Sequence, residues 1–249
     1  MDSPLFVSDD DGKPINLTIN FDRIIGREVL LKGSFEHSKV KIAEKILGSV
    51  NCKNFSIIDV GANIGLYSLY AASKGHSVLA FEPQSHNYSL LNSNIVLNNF
   101  QDKIIAYPVC IHSESKLSIL HLSDADFGSA HNSFQRRQDQ YGNPLGQTIP
   151  QGSISISLNS LLDNYASRDI FLKIDVDGNE DFVIQGAVEL LSSNSLKGIL
   201  VELDLHRSDY KLILDSILDS GFVLDAYTLR RINNPLPLIT TYNHIFLRK

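Results

Sequence analysis

The sequence predicts an α/β fold: a mostly parallel sheet with helices on both faces, preceded by a short extension. Three observations predict it. From Phe55 onward, short apolar runs alternate with segments of helical period, as parallel strands joined by crossover helices require. The first run passes through two glycines straight into a helix, Ile58-Asp59-Val60-Gly61-Ala62-Asn63-Ile64-Gly65-Leu66-Tyr67-Ser68. A second run, Val78-Leu79-Ala80-Phe81-Glu82, ends in a carboxylate, where the carboxyl end of a strand faces a ligand crevice.

Residues 1–35 form an N-terminal extension. Asp9-Asp10-Asp11-Gly12-Lys13-Pro14 reads as a solvated polar turn, because three aspartates without the rest of an EF-hand loop do not make a calcium site. Ile15 to Ile19 and Arg27 to Leu31 alternate and predict a hairpin around Ile25-Gly26. Residues 36–249 read as one domain. Ser38 to Leu47 predicts a helix with Val40, Ala43, Ile46 and Leu47 on one face. Ile57, Ile58 and Val60 flank Asp59 in the first buried strand, and Leu66 to Lys74 is the helix after it. Beyond Glu82-Pro83, a helix places Tyr88, Leu91 and Ile95 at i, i+3 and i+7.

Ile104 to Ile111 is the third strand. Leu117 to Leu122 and Ser153 to Leu158 alternate with period two, which predicts an antiparallel pair inserted at about 115–160. Ser123 to Gly152 is rich in Gly, Asn, Gln, Ser and Asp, and so long a loop in a compact domain reads as a substrate-facing lid. Phe171 to Gly178 is the fourth strand and its turn, followed by a helix with Phe182, Val183, Gly186, Ala187, Leu190 and Leu191 on one side. Gly198 to Glu202 is the fifth strand. Tyr210, Ile213, Leu214, Ile217 and Leu218 mark a helix stopped by Gly221, and Phe222 to Tyr227 and Asn243 to Leu247 close the sheet.

Composition narrows the function. With 249 residues, 43% of them hydrophobic, the chain has enough apolar side chain for a substantial core. A net charge of -6 without a lysine or arginine block speaks against nucleic acid as principal substrate. Cys52 and Cys110 lack metal or redox spacing and read as free buried thiols of a reducing compartment. Met1-Asp2-Ser3-Pro4 opens no signal peptide, and no apolar run reaches the eighteen residues of a membrane span. A soluble cytoplasmic protein is expected. The N-terminal hairpin offers a surface for pairing with a second copy as a homo-oligomer.

The chemistry of the first turn selects a cofactor. A dinucleotide fold shows G-x-G-x-x-G facing a pyrophosphate. Here the spacing is Gly61-x-Asn63-x-Gly65, with Asp59 two residues earlier. That acid repels a pyrophosphate and suits the ammonium of a bound amino acid. S-adenosyl-L-methionine carries such an ammonium, a ribose and no phosphate. Glu82, seventeen residues after Gly65, is placed to accept hydrogen bonds from the two ribose hydroxyls.

The chain resembles the FkbM-type family of S-adenosylmethionine-dependent methyltransferases. The resemblance runs from about Phe35 onward and rests on blocks in order: Asp59 to Gly65, Phe81-Glu82-Pro83, then Asn87 with Leu91, Asn94 and Asn98. Lys173-Ile174-Asp175-Val176-Asp177-Gly178-Asn179-Glu180 follows, then Gly186-Ala187 and Val201-Glu202. It implies a class I methyltransferase, Rossmann-like sheet of seven strands with one antiparallel strand near the end, and methyl transfer to hydroxyl oxygens of sugars or secondary metabolites. It also implies cofactor contacts from Glu36, Asp59, Gly61, Ala62, Asn63, Gly65, Tyr67, Ser68, Glu82, Pro83, Asn87 and Asp175, with His37 beside Glu36. Two positions depart from the family pattern: Asp177 stands for the usual Glu, and Leu158-Asn159 for a Leu-Asp pair.

Methyl transfer from a sulfonium needs alignment of the acceptor oxygen and loss of its proton to a base or a metal-bound oxygen. Ligands sit at the carboxyl ends of the strands. The catalytic candidates are therefore His206, Asp175 and Glu202, with Asp177, Glu180 and Asp204 nearby in sequence. His206 suits a base because its unperturbed pKa lies near neutrality. Asp175 either pairs with Lys173 two residues earlier or faces the reacting methyl. Asp175, Asp177, Glu202 and Asp204 offer oxygens to magnesium or calcium, but no spacing fixes their geometry, so no metal is assigned. His131, Asn132 and Arg136-Arg137 of the long loop are candidate substrate contacts.

The leading expectation is an O-methyltransferase for a hydroxyl of a carbohydrate or secondary metabolite, with a small-molecule or glycan acceptor. The alternatives are an RNA 2'-O-methyltransferase, with Lys173 and Asp175 as a fragment of a Lys-Asp-Lys-Glu arrangement, and a non-catalytic S-adenosylmethionine-binding module. An NAD-dependent oxidoreductase is the more distant reading.

Overall fold

Strands and helices alternate along the chain in a computed structural model that describes residues 2–8, 14–20, 55–123, 132–137, 144–162, 169–234 and 239–249. Strands β1 (Asp2–Ser8) and β2 (Pro14–Asn20) pair antiparallel, with Leu5 opposite Leu17. The expected Ile15 to Ile19 strand thus pairs with β1; the turn expected at Ile25-Gly26, Arg27 to Leu31, the helix expected over Ser38 to Leu47, and the 35/36 boundary lie outside the described residues.

β3 (Phe55–Val60), α1 (Leu66–Ser73), β4 (Ser77–Phe81), α2 (Ser85–Leu97) and β5 (Ile104–Tyr107) follow. The expected third strand is cut in two, because β5 stops before Pro108, which has no N–H for a ladder, and β6 (Cys110–Ile111) joins a different sheet. β7 (Lys116–Leu122), β8 (Ser133–Phe134) and β9 (Ile149–Ile156) complete that second sheet in the order β6-β9-β7-β8. The expected antiparallel pair is β7 with β9, where Leu117 faces Ile154. Its intervening segment carries β8 and the start of β9, so it is shorter than the Ser123 to Gly152 loop read from composition.

A 3-10 turn (Leu158–Leu161) leads on to β10 (Asp169–Ile174), α3 (Glu180–Gln185), α4 (Val188–Ser192) and β11 (Leu196–Asp204). α5 (Tyr210–Asp219), β12 (Phe222–Leu224), α6 (Ala226–Asn233) and β13 (Thr241–Arg248) finish the described chain. The strand expected over Phe222 to Tyr227 ends at Leu224, because the Asp225 side chain accepts from Thr228 N at 2.7 Å and caps a helix there.

The large sheet has the order β12-β13-β11-β10-β3-β4-β5. All neighbours are parallel except β13, which is antiparallel to both β11 and β12. This is the seven-stranded class I sheet with one antiparallel strand that the resemblance implies. The period-two alternation of each strand feeds two cores. Ile57, Val78 and Phe171 join Leu69, Leu90 and Leu91 of α1 and α2 on one face. Their neighbours Ile58, Leu79 and Leu172 join Val183, Leu190, Ile213 and Ile217 on the other. Among the described residues no helix is long and apolar enough to cross a membrane.

Candidate functional site

The order of β11, β10, β3 and β4 brings the carboxyl ends of four parallel strands side by side. The crossover reverses direction between β3 and β10, the place where open sheets bind ligands. The turn after β3 is fixed from every side. Gly61 and Ala62 both donate to the Phe81 carbonyl at 3.0 Å, and Asn63 N donates to Glu82 Oε2 at 2.8 Å. Asn94 of α2 reaches Ile64 O at 2.8 Å. Gly61, at φ +74°, could carry no side chain: a Cβ there would lie 1.8 Å from the Asp175 carbonyl oxygen. The first glycine is therefore required by the end of β10, a contact inside the protein.

Glu82 is buried, and each of its oxygens accepts a backbone N–H, from Asn63 and from Gln84. Burial pushes its pKa up to about 7, against the pull of those hydrogen bonds and of Lys173. A carboxylate oxygen has a second lone-pair direction, so both oxygens can still take a ribose hydroxyl.

Lys173 and Asp59 face each other in the β10–β3 register, with Lys173 Nζ 3.0 Å from Asp59 Oδ1. The ammonium also donates to Gly61 O at 2.6 Å and Val60 O at 3.2 Å. Ser68 of α1 donates to the other Asp59 oxygen at 2.7 Å. Asp175 Oδ2 lies 3.9 Å from the same ammonium, beyond a hydrogen bond. The expected Lys173–Asp175 pairing is thus secondary: adjacent strands in register approach more closely than residues two apart on one strand, so Asp59 wins.

Tyr67, on the first turn of α1, lies with its ring centroid 5.3 Å from Lys173 Nζ. Its hydroxyl is buried and has no hydrogen-bond partner among the described residues. Burial, then the charges of Asp175, Glu202 and Asp59, hold its pKa well above the ordinary value, so it stays a donor. An orphan donor under the charge of three carboxylates fits a positively charged, hydroxyl-bearing ligand such as S-adenosylmethionine. A pyrophosphate would meet the same carboxylates as repulsion. Among the described residues no three His, Cys, Asp or Glu side chains come together to hold a metal.

The rim is built from ion pairs. Arg136, just after β8, makes a bidentate pair with Asp181 at 2.6 and 3.1 Å, donates to Gly178 O, and stacks 4.1 Å from the Phe182 ring centroid. Arg207 of the β11–α5 loop pairs with Glu180 and Asp209 and donates to the same Gly178 O. Arg136 and Glu180 are therefore each held in a structural ion pair, with Asp181 and with Arg207. Gln151 of β9 donates to Pro83 O at 2.7 Å and accepts from Ser85 N at 3.0 Å, tying the second sheet to the loop that follows Glu82.

Asp204 is buried and accepts from His206 N, Thr240 and Thr241, while His206 itself stands exposed at the start of its loop. Asp59 and Ser68 are fully buried behind the turn, and Asn87 is buried on α2. Asp175, Asp177 and Glu202 are partly exposed at the strand ends. Asn132 accepts from Ser123 N at 3.2 Å. Glu36, His37, His131 and Cys52 lie outside the described residues. Sequence reasoning missed Gln151 and Arg207, whose partners are far away along the chain, and it missed the donor role of Tyr67. The partners of the Asn159 side chain were also not foreseen: it accepts from Glu189 N at 3.1 Å and Leu190 N at 3.4 Å, capping α4 from across the fold.

Residues 59–224 match the family described as the methyltransferase FkbM domain. No curated protein matches the chain. Among solved structures, the chain is similar to a human methyltransferase 10 domain containing protein at 12% identity, covering 93% of this chain and 89% of that one, with a TM-score of 0.47. A TehB-like SAM-dependent methyltransferase from Corynebacterium glutamicum ATCC 13032 Kitasato is similar at 10% identity, with 90% and 94% covered and a TM-score of 0.44. P. horikoshii TYW2 in complex with MeSAdo is similar at 13% identity, with 99% and 70% covered and a TM-score of 0.44. The family match spans more than half of the sequence and runs from the end of β3 to the end of β12 in the large sheet. The chain belongs to the FkbM methyltransferase family and is an S-adenosylmethionine-dependent methyltransferase.

Proposed function

We propose that the protein is an O-methyltransferase acting on a hydroxyl of a carbohydrate or secondary metabolite. The observation that carries this reading is the buried, unpartnered Tyr67 hydroxyl on the first turn of α1, on which the charges of Asp175, just beyond β10, and Glu202, near the end of β11, both act. The bound donor supplies a methyl group activated by a sulfonium. Glu82 receives the ribose hydroxyls, and the Gly61 to Gly65 turn shapes the floor beneath them. Glu202 takes the proton of the acceptor hydroxyl as its oxygen gains the methyl group and the methyl–sulfur bond breaks to leave a neutral thioether. A carboxylate needs no high intrinsic basicity here, because the proton becomes acidic only as the new bond forms.

His206 suits this task less well. Its backbone is held by Asp204 outside the carboxylate group, and its ring is exposed. The Lys173 ammonium supports the small-acceptor reading over an RNA 2'-O-methyltransferase, because it is buried and engaged inside the protein by Val60 O, Gly61 O and the Asp59 carboxylate.

The test is methyl-labelled donor offered to small-molecule, glycan and RNA fractions of the native cell. Label entering a base-stable ether in the glycan or small-molecule fraction supports the proposal. Label confined to RNA, or none in any fraction from protein that binds the donor, defeats it. Glu202→Gln should lower turnover at saturating donor at least about a hundredfold, while His206→Ala stays within about threefold.

A further inference from the structure

We infer that Lys173 is a positioning residue for the donor site, and that its partner Asp59 acts through the turn without touching the ligand; Asp175 is then the acid that takes the ligand's ammonium. This rests on the reading of the turn as the S-adenosylmethionine site.

Lysine is rarely buried without a reason, since its ammonium loses hydration. Lys173 is 3% exposed. Its ammonium donates to Val60 O and Gly61 O and lies 3.0 Å from Asp59 Oδ1 as an ion pair without a hydrogen bond. Its two acceptors are the carbonyls of the last residue of β3 and the first of the turn. The N–H groups of Gly61 and Ala62 are drawn the other way, to Phe81 O. The peptide planes at the start of the turn are thus held from opposite sides, by the ammonium and by β4. That orientation presents Asn63 N to Glu82. Ala80 lies opposite Asp59 on the β4 side, and so small a neighbour leaves the pair room.

Asp59 has no exposed surface; its Oδ2 accepts from Ser68, and its Oδ1 stands in ion-pair contact with Lys173. The pair is neutral as a unit and faces inward. Asp175, 17% of whose side chain is exposed, projects from the next position beyond β10, and Tyr67 feels its charge. An ammonium entering the site meets Asp175 before it could meet Asp59.

Two ligands separate these roles in calorimetry: S-adenosylhomocysteine, which carries the amino-acid end, and 5'-methylthioadenosine, which lacks it. Lys173→Met and Asp59→Asn should each weaken both ligands by a similar factor, at least about tenfold. Asp175→Asn should weaken S-adenosylhomocysteine at least about tenfold and leave methylthioadenosine within about twofold. The double variant Asp59→Asn/Lys173→Met leaves neither member of the pair as an uncompensated buried charge, so it should melt close to the wild type and still bind both ligands weakly. It carries the measurement if either single variant fails to fold.

Loss of S-adenosylhomocysteine alone in Asp59→Asn would overturn the inference, since Asp59 would then touch the amino-acid end. Wild-type affinity for both ligands in Lys173→Met or in the double variant would overturn it as well. Wild-type protein that binds neither ligand would instead bring down the donor-site reading beneath it.

Discussion

Arg136 and Asp181 meet through two parallel hydrogen bonds, at 2.6 and 3.1 Å, although they lie forty-five residues apart. The pair joins the inserted sheet to the first turn of α3, next to the loop that carries Asp175 and Asp177. Truncating Arg136 leaves Asp181, which is 7% exposed, with Arg207 as a more distant partner at 3.7 Å. Arg136→Ala is expected to cost about 2 kcal/mol in unfolding free energy, as for a charged hydrogen-bonded pair. Arg136→Lys should recover little, because a lysine cannot make the forked contact. Urea unfolding of the three proteins checks this.

The glycines of the fold should differ sharply in tolerance. Gly61→Ala drives a methyl group into the Asp175 carbonyl and should cost about 3 kcal/mol or more, with loss of donor binding. Gly75, at φ +94°, has nothing within 4 Å of a Cβ, so Gly75→Ala should cost only the left-handed backbone, about 1 kcal/mol, and leave binding intact. Thermal melts with and without S-adenosylhomocysteine separate the two outcomes.

Glu82 should make donor binding depend on pH. Its carboxyl has a pKa of about 7 in the folded protein, raised by burial above the ordinary value of 4.5. Ribose hydroxyls donate to the ionised form, so affinity should fall as pH drops below about 7, by up to about tenfold per unit. The sign for ligand-free stability is opposite. A raised folded pKa favours the protonated fold, so its contribution is complete below 4.5 and is lost as pH rises through about 7. Calorimetry and melting from pH 5.5 to 8.5 should show both slopes, and Glu82→Gln should flatten both.

Asn159 caps α4, where the family usually carries Asp. Asn159→Ala should lose about 1 kcal/mol, and Asn159→Asp should change stability by less than about 0.5 kcal/mol, since both residues accept equally well at a helix start. Chemical denaturation reads the difference directly.

What was legible in the sequence was local. The passage from Ile58 through Gly61 into α1, and Glu82 at the end of β4, depend on spacings within a few residues of a strand end. Features set by strand order were not legible. Lys173 and Asp175 look like partners two residues apart, but the β10–β3 register gives the ammonium to Asp59. Gln151 and Arg136 sit in a polar stretch whose composition resembles open loop, and only the second sheet brings them to Pro83 and Asp181. Phe222 to Tyr227 reads as strand because its apolar content hides the cap that Asp225 makes for α6.

The placement of β13 between β11 and β12 has a bearing on biosynthesis. Every other strand of the large sheet emerges from the ribosome before it does. Until then β11 presents a bare row of amide and carbonyl groups, flanked by Ile199 and Val201, to whatever lies nearby in the cell. Nascent chains stalled ahead of Thr241 should therefore clump or recruit chaperones, and the sheet closes only once Thr241–Arg248 has left the ribosome.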